Sequence, residues 1–219
     1  MAESIVHVVR HGEVENPDKV LYGRLPDFHL SALGRQMAER VAEHLSGLPV
    51  THLRVSPLER ARETMEPINA VYPEHEPTVD VRIVEAANVF EGKIFGPRNA
   101  VLFKPSSLWH LRNPLRPSWG EPYRHIVRRM QAAVIDSAAA AGDGNRAIVV
   151  SHQLPIWMLR SQAEGRRLVH DPRRRRCTLA SVTSFTVVDG RISRVNYAEP
   201  ATDLLPVKAG KSGRFRPGA

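Results

Sequence analysis

Three observations predict an α/β fold, a three-layer α/β/α sandwich with a mostly parallel central sheet and an antiparallel edge strand. Short β-branched apolar runs alternate with segments of helical spacing, the pattern of strands crossing over through helices. Four of these runs lead into charged or polar residues, as strands ending at a ligand crevice do. Two further strand-like runs flank Asp189-Gly190, a two-residue hairpin signal that adds an antiparallel edge.

Each element follows in order. Ile5 to Val9 fits a buried strand and stops at Arg10-His11-Gly12, so the polar triplet sits at a strand's carboxyl end. After a loop rich in Pro, Asp and Gly over residues 16 to 29, Leu30, Leu33, Met37, Val41 and Leu45 recur at spacings of three and four, the stripe of an amphipathic helix. Thr51 to Val55 reads as a second strand. Ser56-Pro57-Leu58-Glu59 then opens a helix with capping-box spacing and proline at the first helical position. Val79, Val81 and Ile83 alternate as a third strand ending at Glu85. Residues 93 to 120 are proline-rich without a sustained period, and read as an insertion or lid. Tyr123 to Ala141 has helical spacing, Gly142-Asp143-Gly144 breaks it, and the strand Ala147 to Val150 ends at Ser151-His152. Residues 180 to 188 and 191 to 197 form the hairpin.

The chain's 219 residues, set against roughly 150 per domain, fit one domain over residues 1–204. Residues 205–219 read as a disordered basic tail. With 42% hydrophobic and 25% charged residues the composition excludes wholesale disorder. No stretch approaches the ~18 apolar residues of a membrane span, and Met1 leads straight into a strand-like run, so a cytoplasmic location is expected. The single cysteine, Cys177, makes no internal disulfide, and no Cys-pair zinc spacing occurs. The net charge of +8 raises the prior for an anionic partner. Much of the excess is local, in Arg166, Arg167, Arg173 to Arg176, and in Lys208, Lys211, Arg214 and Arg216 of the tail. The run Arg173 to Arg176 lacks interleaved aromatics and reads as a solvated face rather than a nucleic-acid site.

If the strands are neighbours, Arg10 and His11, Arg60 one turn into the second helix, Glu85 and His152 converge on one pocket. Two histidines, two arginines and a carboxylate suit phosphoryl transfer through a phosphohistidine. A neutral imidazole attacks phosphorus, always-charged guanidinium forks hold the nonbridging oxygens, and a carboxylic acid protonates the leaving oxygen. Nearby arginines lower a histidine's pKa from about 6.5 and keep it nucleophilic. The helix N-terminus after Ser56 adds free amides for phosphate. Cys177 has Thr183 rather than arginine six positions on, and no G-x-S-x-G occurs, so cysteine-phosphatase and serine-elbow mechanisms fail.

Four stretches, V-V-R-H-G-E at 8–13, H-L-S-A-L-G at 29–34, S-P-L-E-R-A-R-E-T at 56–64 and V-V-S-H-Q at 149–153, resemble in order and spacing the histidine phosphatase superfamily, branch 1. The resemblance implies a phosphoglycerate mutase-like fold. It also implies His11 as the phosphorylated nucleophile, Arg10, Arg60 and His152 as the phosphate pocket, and Glu85 as proton donor, with Glu91 and Glu13 as rivals. Tyr22, Gly23, Arg24 and Gln153 fall where the family faces its substrate, with Arg24 expected to meet a second anionic group. The family usually has Ser or Thr three residues and Asn six residues after the nucleophile, where this chain has Val14 and Pro17; Asn16 substitutes from one position earlier. The activity implied is a metal-independent phosphomonoesterase for a small phosphorylated metabolite, with no cofactor. A mutase is the alternative, disfavoured because E-A-A-N-V-F at 85–90 stands where mutases show E-R-x-Y-G. A catalytically silent binder of phosphorylated partners is the second alternative. The expected partner is a small phosphorylated substrate, with no nucleic acid and no membrane. The aromatic residues of the insertion suit a pocket cover or a homodimer contact.

Overall fold

The computed structural model describes residues 3–94 and 119–205, so most of the expected insertion and all of the tail beyond Leu205 lie outside the described residues. Six strands form one sheet: β1 (Glu3–Arg10), β2 (Val50–Val55), β3 (Thr78–Val79), β4 (Arg146–Ser151), β5 (Val182–Val188) and β6 (Arg191–Ala198). Their spatial order is β3-β2-β4-β1-β5-β6. The first four are mutually parallel, while β5 runs antiparallel to both β1 and the edge strand β6. Asp189 (φ 47°) and Gly190 (φ 74°) turn that hairpin, both in the left-handed region that a two-residue type I′ turn requires.

Among the described residues four helices cover the sheet: α1 (Ala32–Leu45), α2 (Glu59–Val71), α3 (Tyr123–Ala141) and α4 (Gln153–Ala163). Side-chain alternation along the strands assigns them to two faces. Val6, Val8, Ala147 and Val149 pack with Ile126, Met130 and Val134 of α3 and Ile156 and Leu159 of α4. Val9, Ile148 and Val150 pack with Met37, Val41 and Leu45 of α1 and Met65 and Ile68 of α2. These two cores make the three layers. Among the described residues no helix is long and apolar enough to cross a membrane.

Two local expectations need correcting. The third strand stops at Val79, and Val81–Ile83 is a 3-10 turn. The Asp80 carboxylate causes this, accepting from the backbone N–H of Arg82 (2.8 Å) while it pairs with the side chains of Arg54 and Arg82. A side chain that bonds the backbone two residues on competes with the strand ladder. The second correction concerns the start of α2. It begins at Glu59, with Leu58 at the N-cap and no side-chain cap. Ser56 cannot cap it, because its hydroxyl is bonded to His152 Nε2 (2.7 Å).

His7, on β1, is buried between Ser184 Oγ (2.8 Å to Nδ1) and Arg146 Nη1 (3.2 Å to Nε2). Burial, reinforced by the Arg146 charge, lowers its pKa from 6.5 to about 4. The unfolded chain therefore takes up a proton that the folded chain refuses. The associated stability is present above pH 6.5 and is lost as pH falls towards 4, at most about 3 kcal/mol from this one group. Urea midpoints should fall across that window, and His7→Gln should reduce the slope by about one proton. An unchanged slope in the variant would locate the acid sensitivity elsewhere.

Candidate active site

The strand registers decide which residues meet. Arg10 is level with Ser151 across β1 and β4, and Val55 with Val150 across β2 and β4. The chain leaves all three strands at one height, with His11 N–H donating to Ser151 O (3.2 Å) and Ser56 N–H to Val150 O (3.1 Å). His11, Ser56 and His152 are thereby neighbours. The His11 and His152 rings stand 5.2 Å apart, tilted by 57°.

His11 is almost wholly buried. Its Nδ1 lies 2.8 Å from the Gly12 carbonyl oxygen. A carbonyl only accepts, so Nδ1 carries the proton and Nε2 keeps its lone pair. Burial first, then the charges of Arg60 and Arg10, hold His11 well below the ordinary histidine pKa. His152 is lowered in the same way by burial and by Arg60. The surroundings of both rings disfavour the charged form.

Arg60, on the first turn of α2, is fully buried. One terminal nitrogen donates to the Gly23 carbonyl (2.6 Å), and the guanidinium lies 4.7 Å from the centre of the Tyr22 ring. Arg10 donates through Nη1 to the Cys177 carbonyl (2.8 Å). Arg60 Nε and Nη1, Arg10 Nε and His152 Nδ1 are buried without a hydrogen-bond partner. Each such atom costs about 1–3 kcal/mol, so this concentration of bare nitrogens around one imidazole calls for an anion to satisfy them.

Backbone contact fixes the loop after β1. A Cβ on Gly12 would strike the Gly34 carbonyl, and one on Gly34 would strike the Glu13 carbonyl. Thr64 of α2 accepts from Gly12 N–H (3.2 Å). The strand end, the start of α1 and the first turns of α2 are locked together around His11.

A cavity of about 160 Å³ opens beside these groups, lined among others by Arg10, His11, Tyr22, Gly23, Glu85, Glu121, Gln153 and Arg175. Glu85 is half-buried, and its Oε1 accepts from the Ala86 N–H (2.7 Å). Its rivals stand outside the lining: Glu13 accepts from Ser31 Oγ (2.7 Å), and Glu91 from Asn88 N–H (3.1 Å). Arg60 and His152 are fully buried and do not line the cavity, and neither does Asn16. Both ends of the Asn16 amide are spent on the Val20 backbone (2.9 Å each), closing a small loop. Arg24 does not line the cavity either, since its guanidinium grips the Glu85 carbonyl (2.7 Å) and Glu121 (3.1 Å).

A family model of the histidine phosphatase superfamily (branch 1) matches residues 6–199. The chain belongs to that superfamily. An uncharacterised Mycobacterium tuberculosis (H37Rv) protein, Rv0525, is 50% identical to this histidine phosphatase-superfamily chain over 91% of it and 98% of its own length. The Proteus mirabilis protein described as "Probable phosphoglycerate mutase GpmB" is 31% identical over 81% of this chain and 83% of its own. Among solved structures, mycobacterial glucosyl-3-phosphoglycerate phosphatase Rv2419c shares the fold with a TM-score of 0.70 at 21% identity, covering 89% of this chain and 97% of that one.

Within this superfamily member, two features of the cavity escaped sequence reasoning. Arg175 was grouped with a solvated basic run, yet it lines the cavity while its neighbours Arg173, Arg174 and Arg176 are exposed. No periodic signal separates one arginine from three others. The second is a brace on the Glu85 loop. Arg129 of α3 donates to the carbonyls of Arg82 (2.6 Å) and Val84 (2.7 Å) and pairs with Glu121 (2.8 Å). Burial pushes the Glu121 carboxyl up, but the bonds from Arg129 and His125 outweigh it and hold the pKa below its usual value. Glu121 is therefore a tethered carboxylate.

Proposed function

We propose that the protein is a phosphomonoesterase that acts through a phosphohistidine on His11. The observation that carries this reading is the cluster of unsatisfied buried nitrogens on Arg10, Arg60 and His152 around a neutral imidazole whose Nε2 lone pair is free. The printed descriptions of one relative, a probable phosphoglycerate mutase, and of one structural neighbour, a phosphatase, agree with phosphate-ester chemistry. In the first step His11 Nε2 forms a bond to phosphorus as the P–O ester bond breaks, and the carboxylic acid of Glu85 gives its proton to the leaving oxygen. In the second, water attacks the phosphohistidine. The Glu85 carboxylate takes the water's proton, the P–N bond breaks with its electron pair returning to Nε2, and inorganic phosphate departs. Arg10, Arg60 and His152 stabilise the charge on the transferring group.

Hydrolysis is preferred to mutase transfer because residues 85–90 read E-A-A-N-V-F. Rapid mixing with a labelled alkyl phosphate should trap a phosphoenzyme that is stable in base and labile in acid, with phosphate release independent of any bisphosphoglycerate primer and insensitive to chelator. An acid-stable, base-labile adduct would point to serine. Turnover that requires the primer would favour the mutase.

A further inference from the structure

Arg10 and His11 line the cavity, while Arg60 and His152 are fully buried and outside its lining, so a second arginine in that lining, Arg175, needs its own account. Arg175 is held by neutral partners. Its Nε donates to His170 Nε2 (2.8 Å) and its Nη1 to Gln153 Oε1 (3.3 Å). His170 is fixed in turn, with Nδ1 donating to the Leu168 carbonyl (2.7 Å) and its ring between Tyr123 and Trp157 at 5.7 and 5.8 Å. Gln153 Nε2 reaches the Cys177 carbonyl (3.4 Å), the same oxygen that anchors Arg10. Arg175 is thus set two links from the phosphate cluster.

No carboxylate of the described residues pairs with Arg175, unlike Arg129 and Arg160, which each have a glutamate. Its Nη2 bonds to nothing among the described residues. Burial pushes its pKa down, and the charge of Glu85, which lines the same cavity, acts the other way without pairing with it. The space also exceeds a phosphoryl group: one water requires about 10–15 Å³, so a cavity of about 160 Å³ holds on the order of ten water-sized groups.

We propose that Arg175, oriented by His170 and Gln153, reads a second anionic group on the substrate, so that preferred esters carry a carboxylate or a second phosphate a few bonds from the scissile phosphoryl group. This rests on the phosphomonoesterase reading of the same cavity. Arg175 is a specificity-determining residue here, and His170 a positioning residue.

Three matched esters test it: propyl phosphate, 3-(phosphonooxy)propanoate and propane-1,3-diyl bisphosphate. The wild-type kcat/KM should favour one of the two acidic esters over propyl phosphate by about 10–100-fold, the scale of a charge-assisted pair. Which one it favours distinguishes carboxylate from phosphate. In Arg175→Gln that ratio should fall at least tenfold, mainly through KM, and Arg175→Lys should keep part of it. A wild-type ratio near one, or a ratio unchanged in Arg175→Gln, overturns the proposal. Calorimetric titration with 3-phosphonopropanoate and with orthophosphate keeps the question separate from turnover. If no ester is hydrolysed, the phosphomonoesterase reading fails, while a tenfold loss in Arg175→Gln of affinity for the phosphonate relative to orthophosphate still supports the second-anion site. Equal losses for the two ligands overturn it.

Discussion

His11→Ala is expected to reduce turnover of any phosphate ester by at least about 10³-fold, because it removes the only side chain proposed to form a bond to phosphorus. Stability should change little by comparison. The ring's one polar contact is to the carbonyl of its own neighbour, Gly12 (2.8 Å), and the sheet beneath it is built from β1 and β4 backbone pairing. The measurement is kcat/KM alongside a thermal melt. More than a few per cent of wild-type activity in a folded variant would exclude the phosphohistidine route. The variant should also yield no acid-labile phosphoenzyme.

Glu85→Gln is expected to slow alkyl phosphates by about 10²–10⁴-fold, the usual worth of general acid catalysis, and aryl phosphates far less, since a phenolate departs with little protonation. The second step should suffer on both classes, because glutamine takes no proton from water. Burst kinetics with an aryl phosphate would then show a phosphoenzyme that forms readily and breaks down slowly. Equal first-step losses on both classes would take the proton-donor role from Glu85. Among the described residues the other carboxylate on the cavity is Glu121, itself tethered to Arg129.

The elements that were legible in the sequence have local causes. The β1 and β4 runs are buried on both faces and read as continuous apolar segments. The α3 stripe is closed by Gly142 at a φ of 82°, a conformation that glycine alone adopts freely, and Asp189-Gly190 dictates its own hairpin. What was misread was decided at long range. Ser56 has every local feature of a cap, but a histidine 96 positions away takes its hydroxyl. Val79, Val81 and Ile83 alternate like a strand, but ion pairs to Arg54 and Arg82 hold Asp80 where it bends the chain. Helix α4 was not foreseen, because seven of its eleven residues are buried and no polar stripe marks its period. Of the residues expected at the site, Arg60 and His152 are fully buried and outside the cavity lining, whereas Arg10, His11 and Glu85 line it with Tyr22, Gly23 and Gln153. Asn16 and Arg24 do not, because their side chains are spent bracing the loops that carry the others.

The paired glycines at 12 and 34 have a consequence for how such a protein can diversify. The position of the imidazole is gauged by carbonyl oxygens pressed against bare α-carbons, a contact in which no side chain takes part. Substitutions that reshape the cavity wall, including those at Tyr22, Gln153 or Arg175, leave that gauge untouched. Reactive geometry, which tolerates errors of only about 0.5 Å, is therefore stored in main chain, while the choice of ester is written in interchangeable side chains. A lineage could exchange one substrate for another many times over and never have to rediscover where its nucleophile belongs.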